Sequence, residues 1–265
     1  MARGEEALVT ARSSGAAREI AAATENLGVA VYVKEATSRA LALLEDSIAR
    51  FRALGDPVGT AEALNNLGNA LLSVGETGRA LEVLEEALAL HRDAENKWGV
   101  GFVLHTLGYA ALQQGDLERA RARLEESLVL AQEFGHVPGI AWSLEGLAHI
   151  AAGRGEDRRA VVLWAAGESI RAQAGVYMQP TEAAIHEDAL SLARGRLGEA
   201  VASAAWLEGA ALDAEDAVAY ALSSVRDVST KQAAGSDRGL THSQCGNDAP
   251  MTCQAISGAW LLSTR

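Results

Sequence analysis

Between residues 117 and 131, Leu117, Ala120, Leu124, Leu128 and Ala131 recur at three- and four-residue intervals, with Glu118, Arg119, Arg123 and Glu125 between them. Such spacing lays an apolar stripe along one face of an α-helix. The pattern then repeats. A shift of forty residues carries Leu67-Gly68 onto Leu107-Gly108, Gly75 onto Gly115, Ala80 onto Ala120, and Leu84-Glu85 onto Leu124-Glu125. One further shift reaches Leu147-Ala148, Gly155 and Ala160; one shift back reaches Leu27-Gly28, Ala40 and Leu44-Glu45. Four copies in a single phase define a stacked array, because one helix pair cannot bury its own stripe and must use its neighbours.

Each copy predicts two helices, A then B. The expected spans are 16–34 and 37–54, 57–74 and 77–94, 97–114 and 117–134, and 138–153 and 157–174. Gly55-Asp56-Pro57 marks the first boundary: glycine takes the left-handed conformation that ends a helix, aspartate caps the next, and proline suits its first turn. Glu76, Asp116 and Glu156 follow the later turns, where an acid meets the positive end of a helix dipole. Residues 1–15 carry weak helical signals and are expected to fray. Residues 176–226 read as a helical cap over the last repeat. Residues 227–265, rich in Ser, Thr, Gly, Gln and Asp, read as a disordered tail.

The repeat resembles the tetratricopeptide family. Its slots are filled here by Leu64, Leu67, Gly68, Leu71, Gly75, Ala80, Leu84 and Ala87, and in the next copy by Leu104, Leu107, Gly108, Ala111, Gly115, Ala120, Leu124 and Ser127. The resemblance covers residues 16–175, with a period near forty in place of thirty-four, as in the longer-helix variant of large bacterial signalling proteins. It implies an all-α, right-handed α-solenoid of four hairpins. Ala160–Leu222 also resembles the closing segment of the repeat region in bacterial LuxR/AfsR-type regulators with a STAND ATPase. The matching residues are Ala165-Ala166-Gly167-Glu168, Pro180, Leu197-Gly198-Glu199, Ala204-Ala205-Trp206, Gly209, Glu215, Ala217 and Ala221-Leu222. Gly239-Leu240-Thr241 fits the opening of the helix-turn-helix that follows in such regulators; the residues after it do not.

Composition narrows the function. The net charge of −12 opposes a phosphate backbone, so direct nucleic-acid binding by the repeats is not expected. The N-terminus has no apolar core of a secretory signal, and no run is long enough to span a membrane, so the expected location is cytoplasmic. Cys245 and Cys253 both lie in the tail, outside any metal-ligand spacing. No phosphate-binding loop, nucleophile elbow, HExxH or EF-hand motif occurs. The expectation is a protein without catalytic residues, metal or cofactor.

In the tetratricopeptide family helix A lines the concave face. The resemblance therefore places Asn65 and Asn69, His105 and Tyr109, and Glu145 and His149 in a groove, with Glu62, Phe102 and Trp142 one turn earlier. Glu25, Val29 and Tyr32 hold the corresponding N-terminal sites. Such a surface can hydrogen-bond to and stack on a peptide. Phe102, Tyr109 and Trp142 read equally well as packing between helices. His105, Glu145 and His149 could also converge as metal ligands, although one histidine per helix more often faces solvent. No Lys or Arg accompanies Asn65 and Asn69, so a carboxylate clamp is not expected, and a basic or neutral partner fits better. Two readings follow from the resemblance. One is the sensor arm of a bacterial transcriptional regulator, docking on that regulator's own ATPase domain. The other is a freestanding adaptor that holds a peptide in its groove.

Overall fold

The computed structural model describes residues 2–35, 38–176 and 180–223; the tail, with both cysteines and the Gly239-Leu240-Thr241 match, lies outside them. Among the described residues there are twelve helices and no strand. Four hairpins follow one another: α2 (Ala17–Glu35) with α3 (Ser38–Ala53), α4 (Pro57–Ser73) with α5 (Thr77–Asp93), α6 (Lys97–Gln113) with α7 (Leu117–Glu133), and α8 (Val137–Gly153) with α9 (Asp157–Gln173). They form an all-α repeat solenoid.

The helix ends explain the regular period. Gly55, Gly75, Gly115, Gly135, Gly155 and Gly175 each take a positive φ just past a helix. The next amide then bonds back to the last turn, as in Asp56 N to Phe51 O at 3.0 Å and Asp116 N to Ala111 O at 3.0 Å. Asp56, Asn96, Asp116 and His136 cap the following helices, their side chains accepting from the amides of Gly59, Gly99, Arg119 and Gly139. Glu76 and Glu156 stand at the same place but make no such bond. Within a hairpin, close approach requires glycine. A Cβ on Gly68 would lie 2.6 Å from the Leu84 side chain, and one on Gly108 2.6 Å from that of Leu124.

Each helix packs on its hairpin partner and on the next hairpin. The A helices α2, α4, α6 and α8 also approach one another in a row, whereas successive B helices do not come as close. The array therefore curves with the A helices on the inner face. On the outer side the B helices are linked by ion pairs between equivalent turns: Arg52–Glu86, Arg79–Glu45, Arg92–Glu126 and Arg123–Glu85.

The two ends of the array carry further helices, and the N-terminal one departs from the sequence expectation. Residues 2–14, expected to fray, form α1 (Ala2–Ser14), which lies on α2 with Leu8 and Ala11 buried and Glu5 paired to Arg39 at 2.7 Å. Two small contact positions bury the helix without making a stripe visible in the sequence. At the other end three helices follow α9: α10 (Pro180–Leu197), α11 (Glu199–Ala210) and α12 (Ala214–Leu222). They wrap α9 on several sides. A Cβ on Gly209 would sit 2.1 Å from the carbonyl oxygen of Val162, so α11 lies directly on the α9 backbone. α12 touches α7, α8 and α9, where Arg159 donates to the carbonyl of Ala221 and lies 5.2 Å from the Tyr220 ring centre.

Candidate functional site

The inner face presents the A helices in order, and its character changes along the row. On α2 and α4 it is polar. Glu25 is buried and accepts from Asn66 Nδ2 at 2.8 Å. Burial raises the Glu25 carboxyl to about 7 against that hydrogen bond, and burial also raises half-buried Glu62. Asn69 donates to the carbonyl of Asn65 at 3.2 Å and reaches Thr106 Oγ1 on the next A helix at 3.5 Å. The Oδ1 of Asn65 is buried with no hydrogen-bond partner among the described residues. Val29, placed by sequence in the groove, is a core residue at 2% exposure.

On α6 and α8 the face becomes aromatic. The His105 ring centre lies 4.8 Å from that of Tyr109 and 5.8 Å from that of Trp142. Phe102 stands 5.3 Å from Trp98 and 5.1 Å from His136. Trp98 in turn meets Phe134 at 5.7 Å and His136 at 4.7 Å. All of these rings except Tyr109 line a pocket between α6, α7 and α8, together with Gly101, Ala131 and Gly139. Burial lowers His105 to about 4, helped by His136, and lowers His136 and His149 as well. The imidazoles are therefore neutral near pH 7. His105 Nε2 is buried with no hydrogen-bond partner among the described residues.

The sequence-predicted set is thus only partly brought together. Glu62, Asn65, Asn69, Phe102, His105, Tyr109 and His149 are half-buried along the A row, and Trp142 is almost fully covered. Glu145 is a correction. It is 1% exposed and turned toward α9, where Arg171 Nε donates to it at 3.0 Å. Burial outweighs Arg171 and lifts its carboxyl to about 7. With Glu145 engaged by Arg171, it does not join His105 and His149. Among the described residues no three His, Cys, Asp or Glu side chains gather as a metal site requires.

Sequence reasoning missed Asn66, Thr106, Trp98, Phe134, His136 and Gly101. Comparing every slot of the forty-residue phase would have found the aromatic group. Trp98 stands where α4 has Val58, Phe134 where the earlier turns have Leu54 and Ala94, and His136 where they have Asp56 and Asn96.

The fold and the face together define a class: a helix-hairpin solenoid whose inner surface is a row of polar and aromatic side chains. Residues 19–93, the first two hairpins, match the family model for the tetratricopeptide repeat, and two further hairpins follow them in the same phase. No curated protein matches the sequence. Among solved structures the chain is similar to the crystal structure of BtubC (BKLC) from P. vanneervenii, with a TM-score of 0.60 and 16% identity over 94% of this chain and 97% of that one. At that identity the likeness concerns the fold.

Proposed function

We propose that the chain is a non-catalytic scaffold that holds a segment of a partner protein along the inner face of its A helices. The observation that carries this reading is the polar and aromatic row itself. Asn65 Oδ1 and His105 Nε2 are buried there without hydrogen-bond partners among the described residues. Buried polar atoms in folded proteins are nearly always paired, and a docked segment would supply the missing partners. A displayed-peptide library selected on the full chain tests it. Enriched peptides, resynthesised, bind the wild type in calorimetry, and Asn69→Ala with Tyr109→Ala weakens them by about ten-fold or more without lowering the melting temperature. Peptides that bind the double variant as tightly overturn the groove reading.

A finer reading follows from the resemblance of Ala160–Leu222 to the closing segment of LuxR/AfsR-type repeat regions. In it the array is the sensor arm of a bacterial transcriptional regulator and rests on an ATPase domain until an inducer shifts that contact. Flanking DNA that encodes a nucleotide-switch or helix-turn-helix domain in any frame supports this. A flank with neither leaves the freestanding adaptor.

A further inference from the structure

We infer that the aromatic pocket between α6, α7 and α8 receives a basic side chain, an arginine or lysine, from the docked partner segment. The inference rests on the docking reading above and adds the chemistry of one anchor.

The pocket exists because one repeat departs from the others. The slot late in helix B holds Phe51 in the first hairpin and His91 in the second, both buried and both lying against the glycine opposite, Gly59 and Gly99. In the third hairpin that slot is Ala131, and a narrow cavity of about 20 Å³ remains at the mouth of the site. Gly101 widens it further, standing where the second and fourth hairpins have Ala61 and Ala141. The rings around it meet at steep angles, 62° for Trp98 with Phe102 and 69° for His136 with Trp142. Steep rings form the walls of a box, where a parallel stack would fill it.

The fourth hairpin shows what this space accepts. There the same slot is Arg171, whose guanidinium Nε reaches Glu145, the residue at the His105 position. The chain thus fills one such site with its own arginine and leaves the preceding one open. In the open site His105 Nε2 is the buried atom without a partner among the described residues, and a neutral imidazole with its proton on Nδ1 accepts there from a guanidinium or ammonium N–H. Aromatic faces attract the same cation. The lining has no Lys or Arg to receive a carboxylate or phosphate. The only Lys or Arg of α4, α6 and α8 is Lys97, and it is paired with Glu133. A net charge of −12 favours a cationic segment overall.

The test uses the full chain and N-acetyl-arginine methylamide, with the norleucine and aspartate analogues as controls, followed through the indole N–H signals in NMR. The arginine probe shifts the Trp98 and Trp142 signals, leaves those of Trp164 and Trp206 in place, and binds more tightly than either control. Phe102→Leu keeps apolar volume but removes a ring face, and weakens the arginine probe about five-fold with no change for norleucine. Gly101→Ala narrows the pocket and weakens the probe without lowering the melting temperature, since its Cβ would be 3.4 Å from that of Leu130, an ordinary contact. No shift with arginine, norleucine binding as tightly, or indifference to Phe102→Leu overturns the inference. Selected peptides that lose affinity in the Asn69 and Tyr109 variant but tolerate norleucine at every basic position overturn it while the docking reading stands. An arginine shift with no peptide bound removes the docking reading and keeps the pocket.

Discussion

At the scale of single residues, the inner face carries a measurable cost. The Glu25 carboxyl is raised from 4.5 to about 7, chiefly by burial. The unfolded chain ionises first as pH rises, so stability falls between about pH 4.5 and 7 and stays lowered above it. The loss is on the order of 3 kcal/mol. Glu25→Gln keeps an acceptor for Asn66 and removes the charge. Urea melts should show it more stable than wild type at pH 8 and nearly equal at pH 4.5; an equal gain at both values would show that charge is not the cause. Two glycines of α6 make a second contrast. Gly108→Ala drives a Cβ to 2.6 Å from Leu124 and should cost about 1–3 kcal/mol. Gly101→Ala, two turns earlier on the same face, meets only an ordinary contact with Leu130 and should gain up to about 1 kcal/mol from helix propensity. Both glycines read alike in the sequence, because the neighbour that separates them belongs to another helix. Glu145 was illegible for the same reason. Its slot also holds Glu25, Asn65 and His105, and Arg171 alone turns it into a sealed ion pair.

At the scale of the elements, most of the punctuation can be read from residue type. Gly55, Gly75, Gly115 and Gly155 end their helices by taking the left-handed conformation, and Asp56 and Asp116 cap the helices that follow. The Glu76 and Glu156 side chains make no cap hydrogen bond, so an acid in the right place is not enough. His136 caps α8 through Nδ1, a role that requires the neutral ring and that no propensity scale suggests. From α3 to α9 only the end of α5 lacks a glycine, and it is the most exposed to improvement. Glu95 holds φ at 52° where the other turns place glycine, a conformation that costs a side-chain-bearing residue about 1–2 kcal/mol. Part of the gain from Glu95→Gly is lost to the greater freedom of glycine in the unfolded chain, leaving about 0.5–1 kcal/mol of added stability. Chemical denaturation measures this directly. A loss of stability would mean that the Glu95 side chain contributes more than its strained backbone takes away.

At the scale of the whole molecule, the period fixes how hairpins stack but leaves open where stacking stops. The stop is written in α9. A helix in the middle of such an array buries one stripe, as α5 does with Ala80, Leu84, Ala87, Leu88 and His91. Every residue of α9 from Ala160 to Gly167 is buried. An unbroken apolar run of that length means cover on opposite sides, and α10, α11 and α12 provide it. That run is visible in the sequence; the three-helix wrap is not, because it depends on the contact of Gly209 with the Val162 carbonyl and on Arg159 holding α12. A chain ending at Gly175 therefore exposes Val161, Val162 and Ala165 together. It should melt well below the full chain and self-associate in size-exclusion chromatography with light scattering, as solenoids without a polar terminal face do. Val162→Glu with Ala165→Glu in the shortened chain supplies that polar face and should restore the monomer. In the full chain the same pair faces α11 and should unfold the cap. A shortened chain that stays monomeric and melts with the full one would show that the three last helices decorate the array without closing it.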